Sequence, residues 1–319
     1  MRSCDIAIIG SGTAGLSAAV YAARANMSTL VFTGEAFGGQ IATTHDVENY
    51  PGFEDGITGP ELTERMKAQA ERFGAETVFD HIESLEVDGP PFTLNGRADT
   101  YQAKAVVAAT GARAKTLGVP GEEKFWGRGV STCATCDAAF FADAPTALVG
   151  GGDSAMQEGL FLARFASKVY VIHRRDQLRA GATLAERAFS EPKLEFVWDS
   201  VVEEIAGENV VEHVRVRNLK TGQTSELPVE GFFIFIGHDP NTELYRDKLA
   251  LKPGGYLKAD EMMHTSVPGI FAAGEVQDDH FRQAATSAGE GVKAAMEAIH
   301  FVENLPSPAT KPGVLAGSG

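Results

Sequence analysis

The sequence is poor in cysteine and in basic residues, and it has no long apolar run. It contains 3 cysteines among 319 residues, too few for the disulfide framework of a small secreted domain. Its 28 Lys and Arg residues are outnumbered by 43 Asp and Glu residues, which gives a formal net charge of −15. Because so acidic a surface repels phosphate backbones, we expect no nucleic-acid partner.

No apolar stretch approaches the ~18 residues that indicate a membrane-spanning helix. The N-terminus, MRSCDIAIIGSG, passes quickly from a strand-like run into glycines and lacks the apolar core of a signal peptide. We therefore expect a cytoplasmic protein without a membrane partner. The length of the chain indicates about two domains.

The chain begins with a dinucleotide-binding pattern. An apolar run over 5–9 precedes Gly10, Gly12 and Gly15, which fit G-x-G-x-x-G, and an Ala-rich helical pattern and a second strand follow. The glycines allow the backbone to approach a pyrophosphate, whose charge is stabilised by amide groups at the helix N-terminus. We therefore predict a βαβ unit that binds a dinucleotide.

A second unit of this kind has GGGDSA (150–155) between its first strand and its helix. An NAD site usually has an acid after the next strand, but here the sequence is His173-Arg174-Arg175, with Arg179 one helical turn later. Guanidinium groups bind a 2′-phosphate in a bidentate way, so we predict NADPH rather than NADH. The residues predicted to bind NADPH are Gly152, Asp153, Ser154, His173, Arg174, Arg175 and Arg179.

Two dinucleotide motifs imply two dinucleotides, and since the second suits NADPH, we assign FAD to the first. Three further stretches have the character of cofactor loops: 36–53, 103–113 and 269–291. Because they lie on both sides of the second motif, we predict a discontinuous first domain, with boundaries at stretches rich in Gly and Pro.

The predicted fold is α/β, with two Rossmann-like three-layer dinucleotide-binding domains. The FAD domain comprises 1–114 and 245–319, and the NADPH domain, 115–244, is inserted into it.

The stretch STCATCD (131–137) contains Cys133 and Cys136, followed by Asp137. A zinc site, a structural disulfide and a redox catalyst all use a Cys-x-x-Cys pair. Zinc needs four ligands, and the sequence has no second Cys-x-x-Cys and no His pair. A two-residue spacer restrains the unfolded chain weakly, so a structural disulfide is also disfavoured. We favour the redox catalyst and expect no metal.

In this order, the motifs resemble those of the low-molecular-weight, bacterial-type thioredoxin reductases over nearly the full chain. The matching stretches are GSGTAG, GGQ with VENYPG, ATGA, CATCD, GGGDSA, HRRDQLR and RQAATSAG. The resemblance implies a homodimeric FAD enzyme that passes electrons from NADPH through a Cys-x-x-Cys disulfide to thioredoxin.

The resemblance also implies roles for individual residues. Cys133 and Cys136 would be the redox pair, with Cys136 favoured as the cysteine that attacks thioredoxin, and Asp137 would be their acid/base. Arg128, in the stretch GRGVS, would help to bind thioredoxin. The residues expected to hold FAD are Gly10, Gly12, Gly15, Gly39, Gln40, Asn49, Thr110, Gly111, Gly274, Glu275, Arg282, Gln283 and Ala284.

The sequence departs from the family pattern in three places, and we expect these departures to affect the turnover rate more than the class of reaction. They are Glu275 where Asp is usual, Ala138-Ala139 where Gly is common, and Gln157 where Glu is usual. Two alternatives use the same cofactors. One is a reductase or oxidase of another protein or small-molecule disulfide, and the other is a flavin electron-transfer module that does not use the cysteines.

Overall fold

The computed structural model describes residues 1–44 and 47–306. His45, Asp46 and 307–319, which the sequence analysis assigns to the first domain, lie outside the described residues. Helices α1–α6 and strands β1–β17 are numbered in chain order.

The chain divides into two compact units. The chain leaves the first unit after Gly111 and returns to it at Pro240. The second unit comprises 112–239 together with 44–59, a segment that the sequence analysis assigns to the first domain.

A seven-stranded sheet forms the centre of the first unit. Its strands are β1 (Arg2–Ile9), β2 (Thr29–Phe32), β3 (Glu76–Val78), β4 (Ile82–Glu86), β5 (Phe92–Gly96), β6 (Thr100–Ala108) and β17 (Ile270–Ala272). The order is β3-β2-β1-β6-β5-β4. One edge of β6 pairs in parallel with β1, and its other edge pairs with antiparallel β5 and with parallel β17.

The helices of the first unit are α1 (Thr13–Arg24), α2 (Gly59–Arg72) and α6 (Ala284–Glu303), with 3₁₀ turns at Gln40–Thr43 and Glu243–Tyr245. Helices α1 and α6 pack closely because small residues face each other, and a Cβ atom on Gly291 would lie 2.0 Å from the carbonyl oxygen of Ala14. The other face of the sheet buries Phe32, Phe92 and Tyr245.

A five-stranded parallel sheet of order β11-β10-β9-β15-β8 forms the centre of the second unit. Its strands are β8 (Val130–Ser131), β9 (Pro145–Gly150), β10 (Lys168–Ile172), β11 (Leu194–Val197) and β15 (Gly231–Phe235). The helices are α3 (Ala134–Asp137), α4 (Asp153–Leu162) and α5 (Ala182–Ser190), and a 3₁₀ turn spans Ala138–Phe141.

The second unit also contains a three-stranded antiparallel sheet and a two-stranded pair. They are formed by β12 (Ser200–Ala206), β13 (His213–Asn218) and β14 (Thr224–Pro228), and by β7 (Ala112–Ala114) and β16 (His238–Pro240). Side chains of β12 and β13, among them Val202 and Val214, share a core with Ile172 of β10. The predicted α/β class is confirmed. Among the described residues, no helix is long and apolar enough to cross a bilayer.

Candidate active site

The first glycine motif lies between the end of β1 and the start of α1. A Cβ atom on Gly15 would lie 1.9 Å from the carbonyl oxygen of Gly10, and one on Gly10 would lie 2.1 Å from that of Ala109. These glycines allow the backbones of α1, β1 and β6 to approach closely. A Cβ atom on Gly12 would meet nothing nearer than the carbonyl oxygen of Gly38 at 3.9 Å, so the space in front of Gly12 is open.

The loop before Gln40 borders the same space. The N–H of Gly38 donates to the hydroxyl oxygen of Ser11 at 3.0 Å, and a Cβ atom on Gly39 would lie 3.3 Å from the Cα of Gly12. No side chain in the described part of the chain caps α1 at Gly12, and the first turn contains no acid. The amide groups at this N-terminus suit the pyrophosphate of a dinucleotide.

Gln40 and Glu275 meet at this end of the sheet. The Nε2 atom of Gln40 donates to the carboxylate of Glu275 at 3.3 Å. Burial raises the pKa of the Glu275 carboxyl, and the Gln40 hydrogen bond and the charge of Arg282 act in the opposite direction. Gly274, just before it, packs on α1, since its Cβ atom would lie 2.9 Å from the Cβ of Ala14.

Asp278, which was not predicted from the sequence as a site residue, organises the segment before α6. Its buried carboxylate accepts the N–H groups of 280–282 at 2.8–2.9 Å. These hydrogen bonds stabilise Arg282 at a φ of 52°, a left-handed conformation that is costly outside glycine. Helix α6 then begins at Ala284, with a capping box at Gln283. The predicted residues Arg282, Gln283 and Ala284 are therefore held in one defined turn.

Thr110 and Gly111 follow β6. They form hydrogen bonds with Asn241, in the segment where the chain returns to the first unit. The Thr110 hydroxyl donates to the carbonyl oxygen of Asn241 at 2.7 Å, and the Asn241 amide donates back to the carbonyl oxygen of Thr110 at 2.8 Å. The Asn241 N–H also donates to the carbonyl oxygen of Gly111 at 2.9 Å. Asn49 is exposed and lies in 44–59, which groups with the second unit.

The second glycine motif lies between β9 and α4. A Cβ atom on Gly150 would lie 2.5 Å from the carbonyl oxygen of Phe235, and one on Gly151 would lie 2.3 Å from the ring of His173. A Cβ atom on Gly152, the N-cap of α4, would have no neighbour within 4 Å among the described residues. The second motif thus has the same combination of close packing and open space as the first.

The loop after β10 folds back onto this motif. The N–H of Arg179 donates to the carbonyl oxygen of Gly151 at 2.7 Å, and the carboxylate of Asp153 accepts the N–H of Gly181 at 2.7 Å. Burial lowers the pKa of His173, and its Nε2 atom has no hydrogen-bond partner among the described residues. A polar group of a bound nucleotide would satisfy this nitrogen.

Arg174, Arg175 and Arg179 are exposed at the same edge, and Ser154 is exposed in the first turn of α4. Within 1–44 and 47–306, no carboxylate forms an ion pair with any of the three guanidinium groups. Many other arginines of this acidic chain do have carboxylate partners, namely Arg2, Arg65, Arg97, Arg215 and Arg217. An unpaired cationic cluster beside an open glycine turn fits the 2′-phosphate of NADPH.

Cys133 and Cys136 form a disulfide at the start of α3. The N–H of Cys133 donates to the hydroxyl oxygen of Ser131 at 3.0 Å. The N–H of Ala134, between the two cysteines, donates to the carboxylate of Glu158 on α4 at 2.8 Å. The disulfide is therefore connected to the helix that begins at the second glycine motif. Neither Ser131 nor Glu158 was predicted from the sequence as a site residue.

Asp137 ends α3, and its N–H donates to the carbonyl oxygen of Cys133 at 3.2 Å. Burial raises the pKa of the Asp137 carboxyl, while a hydrogen bond from Ser131 acts in the opposite direction. A carboxyl whose pKa lies above its ordinary value exchanges protons more readily near neutral pH. Asp137 is thus suited to manage the protons of the cysteine pair.

Arg128 lies on a fixed turn before β8. Its N–H donates to the carbonyl oxygen of Phe125 at 2.8 Å, and its carbonyl oxygen accepts the N–H of Val211 at 3.1 Å. The side chain is exposed. The backbone position of Arg128 is therefore defined, and its guanidinium group faces solvent.

No group of three or more His, Cys, Asp or Glu side chains able to hold a metal ion occurs in the part of the chain that the structure describes. The third cysteine, Cys4, is buried in β1, and burial raises its pKa to about 12. The reactive sulfur chemistry of this site therefore belongs to the Cys133–Cys136 disulfide.

Two dinucleotide-type units and a disulfide define a class of flavoenzymes. The family model of the pyridine nucleotide-disulphide oxidoreductases matches residues 4–291. The chain belongs to this family.

Several individual relatives have names more specific than that of the family. The thioredoxin reductase of Streptomyces coelicolor is 50% identical over 304 residues, which cover 94% of this chain and 94% of that protein. The bifunctional thioredoxin reductase/thioredoxin of Mycobacterium leprae is 47% identical over 93% of this chain and 66% of that protein. The thioredoxin reductase structure from Streptococcus pyogenes has a TM-score of 0.90 and 45% identity, over 95% of this chain and 99% of that one. The predicted resemblance is confirmed.

Proposed function

We propose that the protein is an FAD-dependent reductase that passes electrons from NADPH to the Cys133–Cys136 disulfide and then to oxidised thioredoxin. The observation that carries this function is the disulfide itself, which lies beside a carboxyl of raised pKa in the unit that bears the unpaired arginine cluster. Relatives named thioredoxin reductase match nearly the whole chain, so the predicted enzyme class is confirmed.

Enzymes of this family use FAD and NADPH, and the predicted cofactors are confirmed. When bound, NADPH supplies a hydride and FAD passes the two electrons to the disulfide. We place FAD at the open turn of Gly12 and at Gln40 and Glu275 in the first unit. We place NADPH in the second unit, with its pyrophosphate at Gly152 and its 2′-phosphate at the arginine cluster.

The chain's own residues manage the sulfur and proton chemistry. Reduction of the disulfide breaks one S–S bond and requires two electrons and two protons. Asp137 is positioned to supply a proton to one sulfur and to take it back when the dithiol is used. Cys136 then attacks the partner disulfide, and Cys133 resolves the mixed disulfide.

Thioredoxin is the partner that the comparisons favour. In the Mycobacterium leprae relative, a thioredoxin reductase and a thioredoxin are one protein by name. We propose that the exposed Arg128 binds thioredoxin, whose approach to the half-buried disulfide must bring a protein surface over this region.

We also propose that the protein is a cytoplasmic homodimer. Its few cysteines suit a reducing compartment, where a Cys-x-x-Cys pair cycles instead of staying oxidised. Sedimentation of the purified protein measures the oligomeric state, and fractionation of the source cell measures the location. A monomer, or a protein outside the cytoplasm, would contradict this part of the proposal.

The function is tested by following NADPH oxidation by the purified yellow protein with thioredoxin and insulin. We expect turnover only when thioredoxin is present, and much slower turnover with NADH. Rapid flavin reduction without thioredoxin turnover would favour the reductases of other disulfides.

Cys136→Ser separates the proposal from a flavin electron-transfer module. The variant should keep NADPH-dependent flavin reduction and lose thioredoxin reduction. Cys4→Ala is the matched control, because it removes the third cysteine from a buried strand far from the pair in sequence. Full activity of Cys136→Ser with ferredoxin-like or quinone acceptors would support the module.

A further inference from the structure

Thr135 contacts one sulfur atom of the disulfide. It lies in α3 between the two cysteines, and its side chain is exposed. Its hydroxyl oxygen is 3.3 Å from the sulfur of Cys133, a hydrogen-bonding distance. A disulfide sulfur has no hydrogen to donate, so the Thr135 hydroxyl is the donor and the Cys133 sulfur is the acceptor.

Hydrogen bonds to the backbone hold Cys133 in place for this contact. Its N–H donates to the hydroxyl oxygen of Ser131 at 3.0 Å, and that hydroxyl donates to the Cys133 carbonyl oxygen at 3.4 Å. The same carbonyl oxygen accepts the N–H of Asp137 at 3.2 Å. The next N–H along the chain, that of Ala134, donates to the carboxylate of Glu158 at 2.8 Å. The main chain around the Cys133 sulfur therefore has a defined position.

The two sulfurs of the pair differ in this contact. Within 1–44 and 47–306, no side chain donates a hydrogen bond to the sulfur of Cys136. A hydrogen bond to an ionised acceptor is stronger than one to a neutral acceptor. The Thr135 hydroxyl should therefore interact more strongly with a Cys133 thiolate than with the disulfide.

We propose that Thr135 is a catalytic residue, whose hydroxyl stabilises Cys133 as a thiolate during the redox cycle. This inference rests on the proposed function, in which Cys136 attacks the partner disulfide and Cys133 resolves the mixed disulfide. Cys133 is then the leaving sulfur when the disulfide is reduced and the attacking sulfur when the disulfide forms again. It carries negative charge in both steps, since the thiolate is the form that leaves and attacks.

Reduction of the disulfide consumes two electrons and two protons. Electrons from NADPH, passed on by FAD, break the S–S bond, and the two sulfurs become thiolates that take up the protons. In the reverse direction, Cys133 gives its proton to Asp137 and attacks the sulfur of Cys136. The mixed disulfide then breaks, and the partner sulfur leaves with the electron pair and takes that proton. Thr135 donates a hydrogen bond in both directions and keeps its own proton.

The ionisable groups that surround Cys133 in the described ranges are acidic. Asp137 lies on α3 itself, and Glu158 lies on α4, which packs against α3. The adjoining Val130–Ser131 and Ala138–Phe141 contain no ionisable side chain. Because a nearby negative charge disfavours a thiolate, the Thr135 hydroxyl opposes these carboxyl groups, and its removal should raise the pKa of Cys133.

Alkylation of Cys133 tests this role without NADPH or thioredoxin. In the FAD-loaded Cys136→Ser protein, the remaining thiols are Cys133 and the buried Cys4. Adding Thr135→Val should make iodoacetamide label Cys133 about threefold more slowly at neutral pH and should move the labelling profile to higher pH. The thiolate fraction falls about tenfold on loss of one hydrogen bond to a charged group, and the greater nucleophilicity of a more basic thiolate partly offsets this. Thr135→Ser keeps the hydroxyl and should restore both the rate and the profile.

Thr224→Val, added to the same Cys136→Ser protein, is the matched control, because it makes the same change at an exposed position of β14. Mass spectrometry of the same samples also measures the labelling of Cys4, which stays low while this thiol is buried and thus reports on the fold. If Thr135→Val increased the labelling of Cys4, Thr135→Ala would replace it. Equal labelling of Cys133 with Thr135→Val and Thr224→Val, or slower labelling that Thr135→Ser does not restore, would overturn the proposal.

A second measurement uses the enzyme with both cysteines. Oxidation of its dithiol by thioredoxin in a single turnover should be about threefold slower in Thr135→Val, whereas flavin reduction by NADPH should be unchanged. An unchanged single-turnover rate would contradict the catalytic role of Thr135. If the wild-type protein failed to reduce thioredoxin, the proposed function would be wrong, and the labelling of Cys133 would still support or overturn the role of Thr135.

Discussion

The side-chain amide of Gln40 donates a hydrogen bond of 3.3 Å to the carboxylate of Glu275, so residues 235 positions apart meet at one end of the first sheet. Gln40 begins a 3₁₀ turn after the loop that borders Gly12, and Glu275 follows β17. Ligands of parallel α/β sheets bind beyond the carboxyl ends of the strands, which is where this pair lies.

Gln40→Ala should weaken the retention of FAD. The change removes a donor to Glu275, whose pKa then rises further because burial is less opposed. We expect about fivefold faster FAD release, the effect of roughly 1 kcal/mol for one hydrogen bond, measured by the increase in flavin fluorescence. Gln69→Ala, on the exposed face of α2, is the matched control. Equal release rates for the two variants would show that Gln40 does not help to hold FAD.

Gly12→Ala and Gly15→Ala should have different effects. A Cβ atom on Gly15 would lie 1.9 Å from a carbonyl oxygen, so this variant should lose roughly 1–3 kcal/mol or more in unfolding free energy. A Cβ atom on Gly12 would have no neighbour closer than 3.9 Å, so Gly12→Ala should fold normally and bind FAD weakly. Thermal unfolding with and without added FAD distinguishes them. Normal FAD binding by Gly12→Ala would place the pyrophosphate elsewhere.

The parts of the site that were predictable from sequence are those whose signal is local. The glycine spacings, the arginines after β10 and the Cys-x-x-Cys pair each lie within one short stretch. Glu158 could not be predicted, because its partner Ala134 is 24 residues away and meets it only through the packing of α3 on α4. Asp278 does have a local signal, because an Asp at the start of a turn typically accepts hydrogen bonds from the backbone N–H groups of the residues that follow it.

The grouping of 44–59 with the second unit also could not be predicted. It depends on contacts made after folding, and the Gly59-Pro60 pair at its C-terminal end does not by itself distinguish a domain boundary from a turn. Antiparallel pairing of Val47 with Ile57 closes the segment on itself, a contact that no periodicity in the sequence indicates.

The arginine cluster should determine the choice between NADPH and NADH. Replacing Arg174, Arg175 or Arg179 with Ala should raise the KM for NADPH about tenfold and leave that for NADH nearly unchanged, because only NADPH has the 2′-phosphate. Steady-state kinetics with both nucleotides measure this. Arg187→Ala removes the same charge from exposed α5 and is the control. An equal loss for NADPH and NADH would mean that the cluster does not bind the 2′-phosphate.

Trp198 should report nucleotide binding by its fluorescence. Its ring lies 6.2 Å from that of His173 and stacks on Phe196 at 4.9 Å, just beyond β11. The chain has 2 tryptophans, so the signals are separable. Titration with 2′,5′-ADP should change the emission of wild type and of Trp126→Phe, and Trp198→Phe should lose the response. If the response were lost in Trp126→Phe instead, the nucleotide would bind away from β10 and β11.

Asp80 is a buried carboxylate with several donors in the first unit. It accepts hydrogen bonds from the Tyr101 hydroxyl at 2.9 Å, the His81 N–H at 2.8 Å and the Ala98 N–H at 3.1 Å. Burial acts to raise the pKa of Asp80, but these hydrogen bonds outweigh it and the pKa is lowered. The unfolded chain has a carboxyl of ordinary pKa, so Asp80 stabilises the fold above that pKa and loses this contribution as the pH falls through the folded value.

Asp80→Asn should therefore destabilise the protein in a pH-dependent way. The amide keeps the shape but loses the charge, and it turns a donor group toward donors, so we expect about 2–3 kcal/mol less unfolding free energy near neutral pH. The difference from wild type should begin to shrink below pH ~4, the ordinary pKa at which the carboxyl of the unfolded chain is protonated, and should keep shrinking as the pH falls through the lower pKa of the folded protein. Urea unfolding near neutral pH and below pH ~4 measures the unfolding free energy of each variant. Asp88→Asn, at an exposed position, is the control. A difference that stays constant with pH would show that the loss reflects shape rather than the Asp80 charge.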